Sequence, residues 1–125
     1  MIEVQKLCKQ FGKLPILHEV SLSLQRGECI ALIGPNGCGK TTLIKSILGM
    51  VIPSSGKILF DGKDIARQFE YRQQIGYMPQ IGRYPDNMTI GQVIELIKDI
   101  REVSDIKDDE LYKAYGLASM LGKKM

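Results

Sequence analysis

The chain has 125 residues, 44% of them hydrophobic and 25% charged, with a net charge of +3. That suits one modest domain with its own core, in the composition of a soluble globular protein. No apolar run approaches the roughly 18 residues of a membrane-spanning helix, and Met1-Ile2-Glu3-Val4 lacks the basic and apolar regions of a secretory leader. The mild charge, with only Lys123-Lys124 clustered, argues against a nucleic-acid partner. A cytoplasmic protein is the expectation.

Residues 1–7 alternate, with Ile2 and Val4 on one side and Glu3 and Gln5 on the other, the pattern of a half-buried strand. Phe11-Gly12-Lys13 and Pro15 mark a loop. Residues 17–24 alternate again, Val20, Leu22 and Leu24 against Ser21 and Ser23. Gln25-Arg26-Gly27 then turns the chain into the apolar run 29–33, which reads as a buried parallel strand. Cys8, Cys29 and Cys38 are odd in number and lack metal-type spacing. Cys29 is expected in the core, and His18, the single histidine, on a strand surface.

The apolar run leads into Gly34-Pro35-Asn36-Gly37-Cys38-Gly39-Lys40-Thr41, which fits G-x-x-x-x-G-K-[ST]. Residues 42–48 follow with apolar side chains at helical spacing, and Gly49 is a stop signal. Strand, glycine loop and helix together form the context of a phosphate site. The glycines let successive N–H groups curl inward as an anion nest. The helix adds the positive end of its dipole. Lys40 is placed to reach the β- and γ-phosphates, and the Thr41 hydroxyl to ligate Mg²⁺. Cys38 sits where a small side chain is needed, and alkylation there would block the site.

Pro53-Ser54-Ser55-Gly56 is a break, residues 57–60 a short strand, and Asp61-Gly62 a hairpin-type turn. Residues 64–74 are polar and are expected to hold a short helix. Residues 75–78 read as a strand stopped by Pro79-Gln80, and Gly82, Pro85, Asp86 and Asn87 form a loop. Thr89 and Gln92 have the spacing of a capping box. Ile90, Val93, Ile94, Ile97 and Ile100 follow at helical intervals, a stripe expected to pack as ordinary core. A charged stretch, 104–110, includes a turn. A second helix is expected from Asp108 or Asp109, carrying Leu111, Tyr112 and Tyr115. Gly116 interrupts it before a short apolar piece, 117–121.

Three features beyond the loop narrow the reading. Phe11-Gly12 ends the first strand, Ser54-Ser55-Gly56-Lys57-Ile58 with Asp61-Gly62 follows the loop helix, and Gln80 closes Tyr77-Met78-Pro79-Gln80 about forty residues past Lys40. With these, essentially the whole chain resembles the ATP-binding subunit of ABC transporters. The resemblance implies an α/β fold. Its parts are a P-loop NTPase core of the ABC ATPase type, an N-terminal antiparallel β part and the start of a helical subdomain, together incomplete. It divides the chain into 1–88, part of the nucleotide-binding core, and 89–125, the start of the helical subdomain.

Gly34 through Thr42, including Pro35, Asn36, Gly37, Cys38, Gly39, Lys40 and Thr41, is similar to that family's Walker A, with Cys38 where Ser or Ala is more usual. Phe11 resembles the A-loop aromatic that stacks on adenine, where Tyr is commoner. Gln80 resembles the Q-loop glutamine, implying contact with Mg²⁺ or the attacking water and a role in catalysis beside Lys40. The resemblance therefore implies ATP and Mg²⁺ as cofactors, and a membrane permease and a second copy of the ATPase as partners. It also implies a peripheral place at the inner face of the membrane. Arg83 and Tyr84, in the loop 81–88, are candidate permease contacts.

Three family elements are absent from these 125 residues: the L-S-G-G-Q signature, a Walker B strand with its Asp and catalytic Glu, and a downstream switch histidine. The expectation is an N-terminal piece of a longer ATPase that binds ATP weakly, hydrolyses little and leaves a sheet edge to be covered. Two alternatives stay open: a soluble ABC-type ATPase of translation or DNA repair, and a nucleotide-free interaction module that retains the loop.

Overall fold

The computed structural model describes residues 1–82, 84–102 and 109–124. They form two compact units, Met1–Gly76 and Tyr77–Met125.

In the first unit, β1 (Ile2–Phe11) and β2 (Leu14–Leu24) make a long antiparallel hairpin turning at Gly12-Lys13. β3 (Ser55–Phe60) adds to the other side of β1, and the two-residue β4 (Lys63–Asp64) closes the order β2-β1-β3-β4. Pro15 lies inside β2 rather than in a loop. An edge strand tolerates the missing N–H because one of its sides has no ladder to maintain. At the β3–β4 turn, Asp61 and Gly62 both have positive φ, 47° and 78°. That is the two-residue hairpin geometry whose twist matches the flanking strands. The Asp61 carboxylate accepts from the N-terminal ammonium at 2.6 Å and from Arg26 at 3.0 Å, tying the first residue and the 25–28 turn to this hairpin.

The sheet departs from strict alternation. Continuing the parity of Ile2 and Val4 would send Lys6 into the core. Instead the register slips between Val4 and Leu7, Lys6 takes φ 43°, and its N–H donates to the Ser21 hydroxyl at 2.9 Å. The bulge flips the parity, so Leu7 is buried and Lys6 is solvated. Val4, Leu7, Leu17, Ile58 and Leu43 form one cluster. Leu43 belongs to α1 (Lys40–Ile47), and it fastens the helix to one face of the sheet. Gly49 follows the end of α1 with φ 66°, as its stop signal predicts.

Between residues 64 and 74 the expected short helix takes the form of two 3₁₀ turns, Ile65–Arg67 and Glu70–Gln74. Tyr71 is buried, and its hydroxyl donates to the Ile47 carbonyl at 3.2 Å.

Two expected strands are not formed. Among the described residues, 29–33 and 75–78 belong to no strand of the sheet. Ile33 is 90% exposed and Met78 91%. Cys29 is exposed rather than in the core. The reason is that a parallel strand is stabilised by neighbours on both sides and by cover on both faces. Among the described residues the sheet is purely antiparallel and supplies neither. His18 is exposed on β2 as expected.

The second unit contains α2 (Ile90–Arg101) and α3 (Asp109–Ala114). The Thr89 hydroxyl accepts from the Gln92 N–H and the Gln92 side chain accepts from the Thr89 N–H, so the capping box is complete. Residues 121–124 fold against the start of α2: the Ile90 and Gly91 N–H groups donate to Lys123 and Leu121. Val93 is buried, but Ile97 and Ile100 are exposed, so the apolar stripe is covered over its first half only. Arg83 and residues 103–108, which hold most of the charged stretch 104–110, lie outside the described residues.

Candidate functional site

The glycine loop reaches α1 through a sharp turn at Gly39, where φ is 97°. An L side chain rarely adopts that conformation, and here space forbids one as well. A Cβ on Gly39 would lie 2.8 Å from a Leu17 methyl and 3.0 Å from the Ile16 carbonyl. The first turn of α1 is thus pressed against β2, and the antiparallel sheet positions the loop. The Leu43 N–H donates to the Gly39 carbonyl at 2.8 Å, starting the helical ladder.

Lys40 is the first residue of α1, and its side chain folds back over the loop. The ammonium donates to the Gly34 carbonyl at 2.6 Å and to Pro35 at 2.7 Å, and lies 3.8 Å from the Cys38 sulfur. Pro35 also accepts the Cys38 N–H at 3.4 Å. The loop is therefore latched by its own lysine. Asn36, Gly37, Cys38 and Thr41 are exposed around this latch, and Thr42 is half-buried. Cys38 crowds Gly34, where an added Cβ would sit 2.8 Å from the sulfur.

Phe11 ends β1, opposite Leu14. Leu14 is three residues, about 10 Å of strand, from Leu17, the residue that touches Gly39. Phe11 is 52% exposed, and the Lys9 ammonium stands 4.8 Å from its ring centroid. Lys9 in turn donates to the Ile52 carbonyl at 2.7 Å. Sequence reading passed over Lys9. The signal was available, since residues two apart on a strand share a face.

Gln80 is exposed, and it belongs to the second unit while the loop belongs to the first. Tyr84 is exposed in the same unit.

Among the described residues no group of His, Cys, Asp and Glu has the arrangement of a metal site. That donor set fits Mg²⁺ only in its phosphate-bound form, which needs one or two protein oxygens and takes the rest from the nucleotide and water. Thr41, exposed in the first turn of α1, is such an oxygen.

Glycine loop, helix N-terminus and lysine make this a P-loop fold of the nucleotide-binding class. Its sequence profile is that of the ABC transporter family, matched over residues 17–125, and the chain belongs to that family. It is 36% identical to a sulfate/thiosulfate import ATP-binding protein of Caulobacter vibrioides, over 83% of this chain and 31% of that protein. It is also 36% identical to an ABC transporter ATP-binding protein of Bacillus subtilis, over 85% of this chain and 36% of that one. A solved ATP-binding subunit of an ABC transporter superposes with a TM-score of 0.87 at 29% identity, covering 99% of this chain and 54% of that one. The chain thus spans about a third of the length of these curated relatives.

Proposed function

We propose that this chain is the nucleotide-gripping part of a transporter ATPase, with residues 1–88 in the nucleotide-binding core and 89–125 opening a helical subdomain. What carries the reading is the loop. Its cation is held over backbone carbonyls at the mouth of a glycine turn, in a chain whose family consists of ABC transporter proteins. ATP, once bound, supplies the phosphoanhydride bond, and Mg²⁺ offsets its charge. Lys40 exchanges the Gly34 and Pro35 carbonyls for phosphate oxygens, a gain because the phosphate carries a full opposite charge that a carbonyl dipole lacks. The N–H groups of the loop and of the first turn of α1 take the remaining oxygens. Thr41 would hold the metal, and Phe11 would stack on adenine. The 10 Å of β2 between Leu14 and Leu17 supports that pairing, as ribose and phosphates bridge such a span. Gln80 would contact Mg²⁺ or the attacking water.

The parent ATPase couples hydrolysis to transport, seated on a membrane permease at the inner membrane face. Tyr84 and Arg83 are the candidate permease contacts. No described helix is long and apolar enough to cross a membrane. A second copy is the other partner, and the exposed apolar stretch 29–33 supports it, because apolar side chains left uncovered together make a surface for another chain. A monodisperse monomer in light scattering at high concentration counts against that pairing.

By itself the 125-residue chain binds ATP and hydrolyses little. It contains no general base of the Walker B type, and losing such a group costs about 10²–10⁴-fold in rate. Calorimetry with MgATP, followed by steady-state phosphate release, tests both halves. Lys40→Ala is expected to abolish the binding heat. Unchanged affinity in Lys40→Ala, or turnover near one per second that Lys40→Ala removes, refutes the reading.

A further inference from the structure

Lys9 has no place in the phosphate grip, yet it is held by two contacts at once. Its ammonium donates to the Ile52 carbonyl at 2.7 Å and stands 4.8 Å over the Phe11 ring. The Ile52 bond anchors the cation to the segment that follows α1, so its position over the ring does not depend on the ring. With one face taken by the ammonium and 52% of Phe11 exposed, the opposite face is the one left to a ligand.

We propose that Lys9 is a positioning residue for the purine. It holds the Phe11 ring in the orientation that receives the base and draws π-electron density toward its own side. A ring polarised in this way presents an electron-poor face. Such a face stacks best on an electron-rich aminopurine, with the cation acting through the ring rather than on the phosphates. The proposal rests on the reading of Phe11 as the adenine-stacking residue, and its test is arranged to separate the two.

The affinities of the 125-residue chain for MgATP and for inorganic tripolyphosphate are measured by calorimetry. The variants are Lys9→Met, Lys9→Arg, Phe11→Ala and the double variant Lys9→Met with Phe11→Ala, and the melting temperature of each is recorded. Lys9→Met is expected to weaken MgATP about two- to fivefold, the usual scale of an exposed cation–π contact, and to leave tripolyphosphate unchanged. Lys9→Arg is expected to restore wild-type affinity. In the Phe11→Ala background Lys9→Met is expected to change nothing.

Equal losses for ATP and tripolyphosphate overturn the proposal, since Lys9 then acts as a diffuse charge or as a strut for the fold. A loss that persists without the ring overturns it too. So does an unchanged Lys9→Met when Phe11→Ala alone weakens ATP. If Phe11→Ala leaves ATP affinity intact, the stacking reading fails first and the role of Lys9 falls with it.

Discussion

Gly39→Ala is the substitution that most directly interrogates how the sheet holds the loop. Two costs are legible at this position. The backbone has φ 97°, and left-handed conformations cost an L residue about 1–2 kcal/mol. The added methyl would meet Leu17 at 2.8 Å and the Ile16 carbonyl at 3.0 Å, and forcing an extra carbon into packed surroundings costs about 1–3 kcal/mol. The sum, about 2–5 kcal/mol, is a large part of the stability of a small domain. Gly62 provides the control. Its φ is 78°, but a Cβ there meets nothing within 4 Å, so Gly62→Ala carries the backbone cost alone. Urea unfolding of both variants separates the two terms. With a slope of about 1–3 kcal/mol per molar urea, the Gly39→Ala midpoint should fall by about 1 M or more, and by clearly more than that of Gly62→Ala. MgATP affinity should fall in Gly39→Ala only. Equal midpoints for the two variants would show that β2 does not press on the loop. An unshifted Gly39→Ala midpoint would refute the described geometry of the turn.

Two further outcomes follow from named groups. Hydrogen bonds from the N-terminal ammonium and then from Arg26 hold the Asp61 carboxyl below its ordinary pKa. A lowered folded-state pKa contributes stability above the unfolded value, near 3.9, and loses it as pH falls through the folded one. The melting temperature of the wild type should therefore exceed that of Asp61→Asn at neutral pH, and the two should converge on acidification below about pH 4. A gap independent of pH sinks this account. Cys38 and Cys29 are both exposed, but only Cys38 lies in the loop, 3.8 Å from Lys40. Alkylation with N-ethylmaleimide should abolish nucleotide binding in the wild type and spare it in Cys38→Ser. Loss in both would assign the effect to another thiol.

Whatever depends on neighbours in sequence was legible in the residues alone. The Thr89–Gln92 box, the α1 stop at Gly49 and the Asp61-Gly62 turn are set by φ preferences and side-chain reach over two to four residues. The eight-residue phosphate loop is likewise a local code, and the family followed from it with three distant landmarks. Tertiary structure decided what depends on a partner. Residues 29–33 and 75–78 have strand composition but form no strand among the described residues, because composition cannot supply the neighbouring strand on which pairing rests. The bulge at Lys6 reversed an alternation that looked complete, since the ladder with β2 accommodates an extra residue that the pattern does not announce. The Lys40 latch and the ammonium over Phe11 likewise exist only once the chain has turned back on itself. They join backbone carbonyls and a ring face, groups that a string of side-chain letters leaves unspecified.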